Sequence, residues 1–135
     1  MLIKEITVSE ALPIRQKAMW PDKDLDFVRV PGDEDAYHLG LFTDRKLVSV
    51  VSVFQKEGGA QFRKFATLPE YQGKGFGSKL LVYMIGYVQK KKISKIWCNA
   101  RVAKVDFYSG FGLTTTKQTF QKSGMDYVVM EKNLI

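Results

Sequence analysis

The passage from Gln61 to Lys90 constrains this chain more than any other. A run of strand-forming residues, Gln61 to Leu68, stops at Pro69 and leads into Gln72-Gly73-Lys74-Gly75-Phe76-Gly77, which opens directly into a helix. In that helix Leu81, Met84, Ile85 and Val88 recur at helical spacing, and Lys79, Gln89 and Lys90 lie outside the set. The first turn of a helix leaves backbone N–H groups without intrahelical partners, so its start is a ready anion site. Glycine lets the backbone approach a phosphate, because no Cβ stands in the way. Lys74 adds a cation. The arrangement suits a pyrophosphate. It also serves as a plain strand-to-helix turn, and the loop alone does not choose between the two.

Two familiar nucleotide loops fit poorly. A Walker loop ends in Gly-Lys-Ser/Thr, and no such ending follows here. A Rossmann loop stands near the start of a βαβ unit, with a ribose-binding acid about 20 residues later. Lys90-Lys91-Lys92 occupies that neighbourhood instead, and the loop lies mid-chain after two hairpins.

The rest of the chain reads as short elements without repeats or linkers. Leu2 to Val8 alternates as a first strand. Ser9 is placed to cap a helix from Glu10 to Met19, which Pro21 stops. Pro21 to Asp35 is acidic and irregular. Tyr37 to Thr43 and Leu47 to Phe54 form strands joined at Asp44-Arg45-Lys46, and Glu57-Gly58-Gly59 turns the chain into Gln61 to Leu68. Ser94 to Cys98 is a short fifth strand, Ala103 to Ser109 a short helix. Gly112 to Gln121 and Tyr127 to Leu134 form a closing pair around Ser123-Gly124.

A length of 135 residues suits one domain over 1–135 with a buried core. No stretch is long and apolar enough to span a membrane, and Met1 to Glu10 has no apolar signal core. Cys98 is the single cysteine, so no intramolecular disulfide forms, and a cytoplasmic location is the expectation. One Cys and one His are too few for a structural zinc site, and no metal is expected. The net charge of +7 fits either a lysine-rich surface or attraction to a phosphorylated partner. The one dense basic run, Lys90 to Lys92, closes a helix, where cations also suit the dipole.

Gln72-x-x-Gly75-x-Gly77 resembles the Gln/Arg-x-x-Gly-x-Gly/Ala signature of the GNAT N-acetyltransferase superfamily, and Phe65 to Gly77 is similar to that family's phrase throughout. A second block, Asn99-Ala100-Arg101 followed by Phe107-Tyr108 and Phe111-Gly112, fits the family's fifth strand and following helix corner. The resemblance covers nearly the full chain. It implies an α/β (α+β mixed) fold: a mostly antiparallel sheet of six or seven strands, flanked by about four helices and splayed between strands 4 and 5. It implies acetyl-CoA as cosubstrate, with pantetheine paired to the backbone of Phe65, Ala66 and Thr67. The pyrophosphate would sit on Gln72, Gly73, Lys74, Gly75, Phe76 and Gly77, with Ser78 in reach. The acceptor would be an amine of a small molecule or protein, and a homodimer through sheet edges is expected from relatives.

Tyr108 resembles the family's general acid for the leaving thiolate; its alternative role is to pack the short helix on the sheet. A tyrosine with a pKa of about 10 is protonated at neutral pH and can donate. Asn99 either meets the pantetheine or caps the next helix. The fourth strand, Phe62-Arg63-Lys64-Phe65, lacks the carboxylate that family members often use as base. Glu70, Asp106 and His38 are the candidates left, and a water-mediated or substrate-assisted route is the better expectation. Cys98 reads as a buried strand residue. The resemblance implies that Arg15, Trp20 and the acidic loop with Asp22, Asp24, Asp26, Asp33, Glu34 and Asp35 would fall on the acceptor side, where the carboxylates would attract a cationic amine or are simply solvated.

Two other functions compete. A non-catalytic CoA-binding or sensing module would bind CoA, transfer nothing and ignore Tyr108→Phe. A nucleic-acid-binding protein would need exposed aromatics interleaved with Lys and Arg, whereas the aromatics here fall at strand and corner positions.

Overall fold

The computed structural model describes residues 1–135. Strand β1 (Leu2–Ile6) is followed by helix α1 (Val8–Met19). The helix starts earlier than expected, and its cap is Thr7 rather than Ser9. The Thr7 hydroxyl accepts from the Glu10 N–H at 3.1 Å, while Glu10 Oε1 accepts from the Thr7 N–H at 2.9 Å. This reciprocal box needs a carboxylate three residues after the cap, which Thr7 has and Ser9 lacks.

Three strands follow: β2 (Tyr37–Thr43), β3 (Lys46–Lys56) and β4 (Gly59–Thr67). The two connections are two-residue turns, Asp44-Arg45 and Glu57-Gly58, with positive φ at every position. Such turns match the twist of the strands they join. A 3-10 turn at Pro69–Tyr71 leads to helix α2 (Phe76–Lys90), then to β5 (Lys95–Arg101). The expected helix at Ala103 to Ser109 is instead a 3-10 turn, Val102–Lys104, and a five-residue helix α3 (Val105–Ser109). Strands β6 (Thr114–Lys122) and β7 (Met125–Asn133) close the chain around Ser123-Gly124, both at positive φ. There are thus three α-helices, where about four were expected; 3-10 turns take up the remainder.

The seven strands form one sheet in the order β1-β2-β3-β4-β5-β7-β6. Every pairing is antiparallel except β4 with β5. Val48 to Val53 in β3 are all buried, so both faces of the central strand are covered, which explains why valines occur there on both faces. Helix α2 places Leu80, Leu81, Met84 and Val88 in the core. At the far edge, β6 is exposed along nearly its whole length and is interrupted. Thr116, Lys117 and Gln118 stand opposite Val129 alone, between the pairs Thr115↔Met130 and Thr119↔Val128.

Helix α1 is tied to the sheet by a buried polar network. The Arg15 guanidinium is fully buried and donates to both carboxylate oxygens of Asp33 at 2.9 Å, to Ser52 Oγ at 2.9 Å and to the Val28 carbonyl at 3.0 Å. His38 bridges Ser52 Oγ at 2.7 Å and the Asp33 carbonyl at 2.8 Å. Asp33 is therefore not a solvated loop residue, and Arg15 does not face an acceptor. Burial pushes the Asp33 carboxyl up, but hydrogen bonds from Arg15 and the Val30 N–H outweigh this and hold it below the ordinary carboxylate range.

Removing one partner of such a pair leaves a buried charge uncompensated, so Asp33→Ala should lose about 3–5 kcal/mol in chemical denaturation at pH 7. Asp33's folded pKa lies below its unfolded value of about 3.9. Its contribution is complete above that unfolded value and is lost as pH falls through the lower folded one. The variant should lack this part of the acid-induced decline.

Candidate active site

Strands β4 and β5 pair through only three residues each: Gly59↔Lys95, Ala60↔Ile96 and Gln61↔Trp97. Beyond Gln61 they part, and a cleft of about 700 Å³ opens between them. The remainder of β4 forms one wall and Cys98, Asn99 and Arg101 of β5 the other. The start of α2 closes one end; Lys104, Phe107 and Tyr108 come from the segment after β5. Ala18 and Met19 at the end of α1, with Tyr127 of β7, complete the boundary.

A bulge shapes the β4 wall. Val50 pairs with Ala66 and Ser52 with Arg63, so Lys64 and Phe65 together face Val51. Lys64 takes a φ of 54°, a left-handed conformation that a lysine adopts at a cost of roughly 1–2 kcal/mol. Strain of this kind persists where surrounding structure enforces it, often beside a ligand site.

The glycine-rich loop follows directly. Gln72 Nε2 donates to the Thr67 carbonyl at 2.9 Å and fastens the loop to β4. Gly73 and Gly75 have φ of 74° and 85°, and a Cβ at either would meet nothing within 4 Å. Gly75 is the N-cap of α2 and supplies no side chain to its first N–H groups. Open space thus lies over an uncapped helix start, which is the geometry of an anion site. Gly77 has a different role: a Cβ there would lie 2.8 Å from Cζ of the Phe65 ring. Glycine at 77 lets the helix seat against β4.

At the other part of the cleft, Tyr108 packs against Phe62, ring centroids 5.9 Å apart, and against Phe107 at 5.2 Å. Burial and the neighbouring Cys98 push its hydroxyl up to about 12. Burial also raises the Cys98 thiol to about 12, so it remains a thiol and a poor nucleophile. Lys64 is shifted the other way: burial, then the charge of Arg63, holds its ammonium below the usual lysine range.

Of the residues singled out from sequence, Phe65, Ala66, Thr67, Gln72, Gly73, Gly75, Phe76, Gly77, Ser78, Asn99 and Tyr108 all line this one cleft. Lys74 does not; its ammonium lies 5.7 Å from the Tyr71 ring centroid. Asn99 sits inside β5 and caps no helix, because the strand runs to Arg101. His38, Glu70 and Asp106 are all absent from the lining, which contains no carboxylate. His38 is committed to the buried network instead. Sequence reasoning missed Lys64, Arg101, Lys104 and Tyr127. Strand alternation fails at a bulge, so only the Arg63-Lys64 pair beside the phrase Phe65 to Gly77 hinted at charge here.

Residues 24–134 match the family described as the acetyltransferase (GNAT) domain. The chain belongs to the GNAT acetyltransferase family. Over 98% of its length it is 26% identical to the uncharacterized N-acetyltransferase YitI of Bacillus subtilis (strain 168), covering 95% of that protein. Over 53% of its length it is 37% identical to an S-alkylcysteine N-acetyltransferase of the same organism, covering 46% of it. A putative N-acetyltransferase from Lactobacillus plantarum superposes with a TM-score of 0.85 at 18% identity, over 100% of both chains. An aminoglycoside 6'-N-acetyltransferase complexed with coenzyme A superposes with a TM-score of 0.77 at 13% identity, over 100% of this chain and 98% of that one. The seven-stranded sheet with its single parallel pairing is the GNAT fold, as the sequence resemblance implied.

The two helix glycines should respond oppositely to alanine. Gly77→Ala must displace the Phe65 ring and should cost about 1–3 kcal/mol. Gly86→Ala meets open space inside α2 and should stabilise by about 0.5–1 kcal/mol. Urea denaturation of both variants reads the difference.

Proposed function

We propose that this GNAT protein transfers an acetyl group from acetyl-CoA to a primary amine of a small molecule or protein, by direct attack within a ternary complex. One observation carries the reading: the β4–β5 cleft is lined both by an uncapped glycine-rich helix start and by the half-buried Tyr108. A pyrophosphate fits the N–H groups of the Gln72–Gly77 loop, with Ser78 in reach and Lys74 nearby as a longer-range charge. Pantetheine fits between the parted strands along Phe65, Ala66 and Thr67, and Asn99 faces it from β5. The aminoglycoside relative holds coenzyme A, in agreement with the cofactor class.

Transfer needs a neutral amine, a donor for the developing oxyanion and a tolerable leaving group. Backbone N–H groups at the β4 bulge are the natural oxyanion donors. The thiolate of CoA, with a thiol pKa of roughly 8.5, leaves without full protonation. Tyr108, held near 12, gives up its proton to such a thiolate only uphill. Its role is therefore a hydrogen bond to sulfur as charge develops, rather than outright transfer.

No carboxylate stands ready as a base. The cleft compensates electrostatically. Arg63, Lys64, Arg101 and Lys104 make its interior positive, and like charge favours the neutral form of a bound amine. The released proton then passes to water. The same lack of a base favours a second reading, a CoA-binding module that transfers nothing.

Calorimetry with acetyl-CoA tests the cofactor site. Wild type should bind in the micromolar range, Gly75→Glu should not, and Gly75→Ala should bind, since it adds strain without charge. An unbound wild type would end the enzyme reading. Tyr108→Phe should lower kcat about 10- to 100-fold, the worth of a hydrogen bond to a charged atom, with acetyl-CoA affinity unchanged. The rate should rise with pH as the amine deprotonates, and Tyr108 should impose no fall below about pH 10, since its hydroxyl stays protonated. CoA binding with no transfer to any amine would select the binding module.

A further inference from the structure

The acceptor side of the cleft is unusually one-signed. Arg63, Lys64, Arg101 and Lys104 line the cleft, and none of the chain's 14 acidic residues does. None of the four cations forms an ion pair: the three salt bridges join Arg15 to Asp33, Arg29 to Asp26 and Lys95 to Glu131. Arg63 stacks over the Phe54 ring, with its guanidinium carbon 5.6 Å from the centroid. Lys64 has no hydrogen-bond partner, is half-buried and sits on the strained bulge. Its surroundings add to the imbalance. Arg63 and Lys122 act on its ammonium as like charges, while Arg15 and Asp33, paired to each other, largely cancel.

The cofactor does not account for Lys64. The loop that suits a pyrophosphate follows the end of β4, whereas Lys64 lies three residues back from Thr67. At about 3.3 Å per strand residue that is roughly 10 Å further from the loop. Lys64 lines the same cleft as Met19 of α1 and stands two residues from Phe62, which packs on Tyr108.

We propose that the acceptor amine carries an anionic group, a carboxylate in an amino-acid-like molecule or a phosphate, and that Lys64 holds that group while the amine attacks. This rests on the reading of the cleft as the acyl-transfer site, and it names the substrate class for it. A cation without a counter-ion is costly to keep half-buried, and an anionic ligand removes that cost on binding. The same four charges repel a polyamine, which brings two or more positive groups and nothing to balance them. Lys64 is a binding and specificity residue. It presents the amine and takes no proton from it, since an ammonium has none of its lone pair to offer.

The test pairs acceptors with and without the anionic group, with rates expressed per neutral amine so that the different amine pKa values within a pair do not enter. L-α-amino acids are assayed beside their carboxamides, O-phosphoethanolamine beside ethanolamine, and spermidine stands alone. Free thiol release from acetyl-CoA is the readout. The anionic member of at least one pair should exceed its neutral partner about tenfold or more in kcat/KM, chiefly through KM, the worth of one charge-assisted contact. Whether the carboxylate or the phosphate pair responds identifies the group. In Lys64→Met, which keeps length and bulk, the ratio should fall towards one, and Lys64→Arg should restore part of it. Calorimetric titration of the same acids into the CoA-loaded protein gives a reading without turnover: wild type should bind them and Lys64→Met should not. Equal use of neutral and anionic partners, preference for spermidine, no acid bound by the CoA-loaded wild type, or a ratio unchanged in Lys64→Met would each overturn the assignment. CoA binding, measured first in both proteins, separates this failure from failure of the cofactor site itself.

Discussion

Three residue pairs hold the two halves of this sheet together, and the rest of the structure follows from their stopping there. Parallel strands cannot be joined by a tight turn, so β4 reaches β5 only through α2. That crossover sets the start of a helix just past the parted end of β4. Once β4 and β5 part after Gln61 and Trp97, the cleft, the glycine-rich loop and the facing edge of β5 come together without further device. Site and fold are one feature here, which is why both sequence blocks that carry the resemblance lie beside this seam.

The part of the boundary supplied by α1 is held differently. Helix α1 contributes Ala18 and Met19 to the cleft, and its position is fixed by Arg15 gripping Asp33, Ser52 and the Val28 carbonyl. Apolar packing tolerates small slips, because one aliphatic surface is much like another. A guanidinium paired to both oxygens of a carboxylate does not, since each donor has one direction. Arg15 Nε alone is left without a partner, a cost the network bears. His38 and Asp33, which sequence offered as a base and as a solvated acid, serve this positioning.

Much of the fold was legible because its signals are local. The valine-rich stretch Val48 to Val53, the turns at Glu57-Gly58 and Ser123-Gly124, and Pro69 before the loop mark elements by residue type alone. Element ends were less clear. Ser9 and Thr7 are both competent caps, and only the partner Glu10, three residues after Thr7, decides between them. Asn99 offered a cap as well as a pantetheine contact because Asn is a favoured N-cap residue; β5 continues to Arg101 because it pairs with β7, a long-range event no local pattern records. The bulge at Lys64 was invisible for the same reason. It is set by the pairing of β3 with β4, and it overrules the two-residue alternation by which a strand's inward side chains are counted.

A sheet that parts in its middle has inner edges as well as outer ones. The outer edges discourage company. The five-residue β1 carries Lys4 and Glu5, and β6 is broken at Thr116 to Gln118, where its backbone loses step with any straight neighbour. The inner edge along β4 and β5 has no such guard beyond the bulge. The sheet's unguarded template for an added strand therefore lies within it, along the backbone left unpaired where β4 and β5 face each other across the cleft.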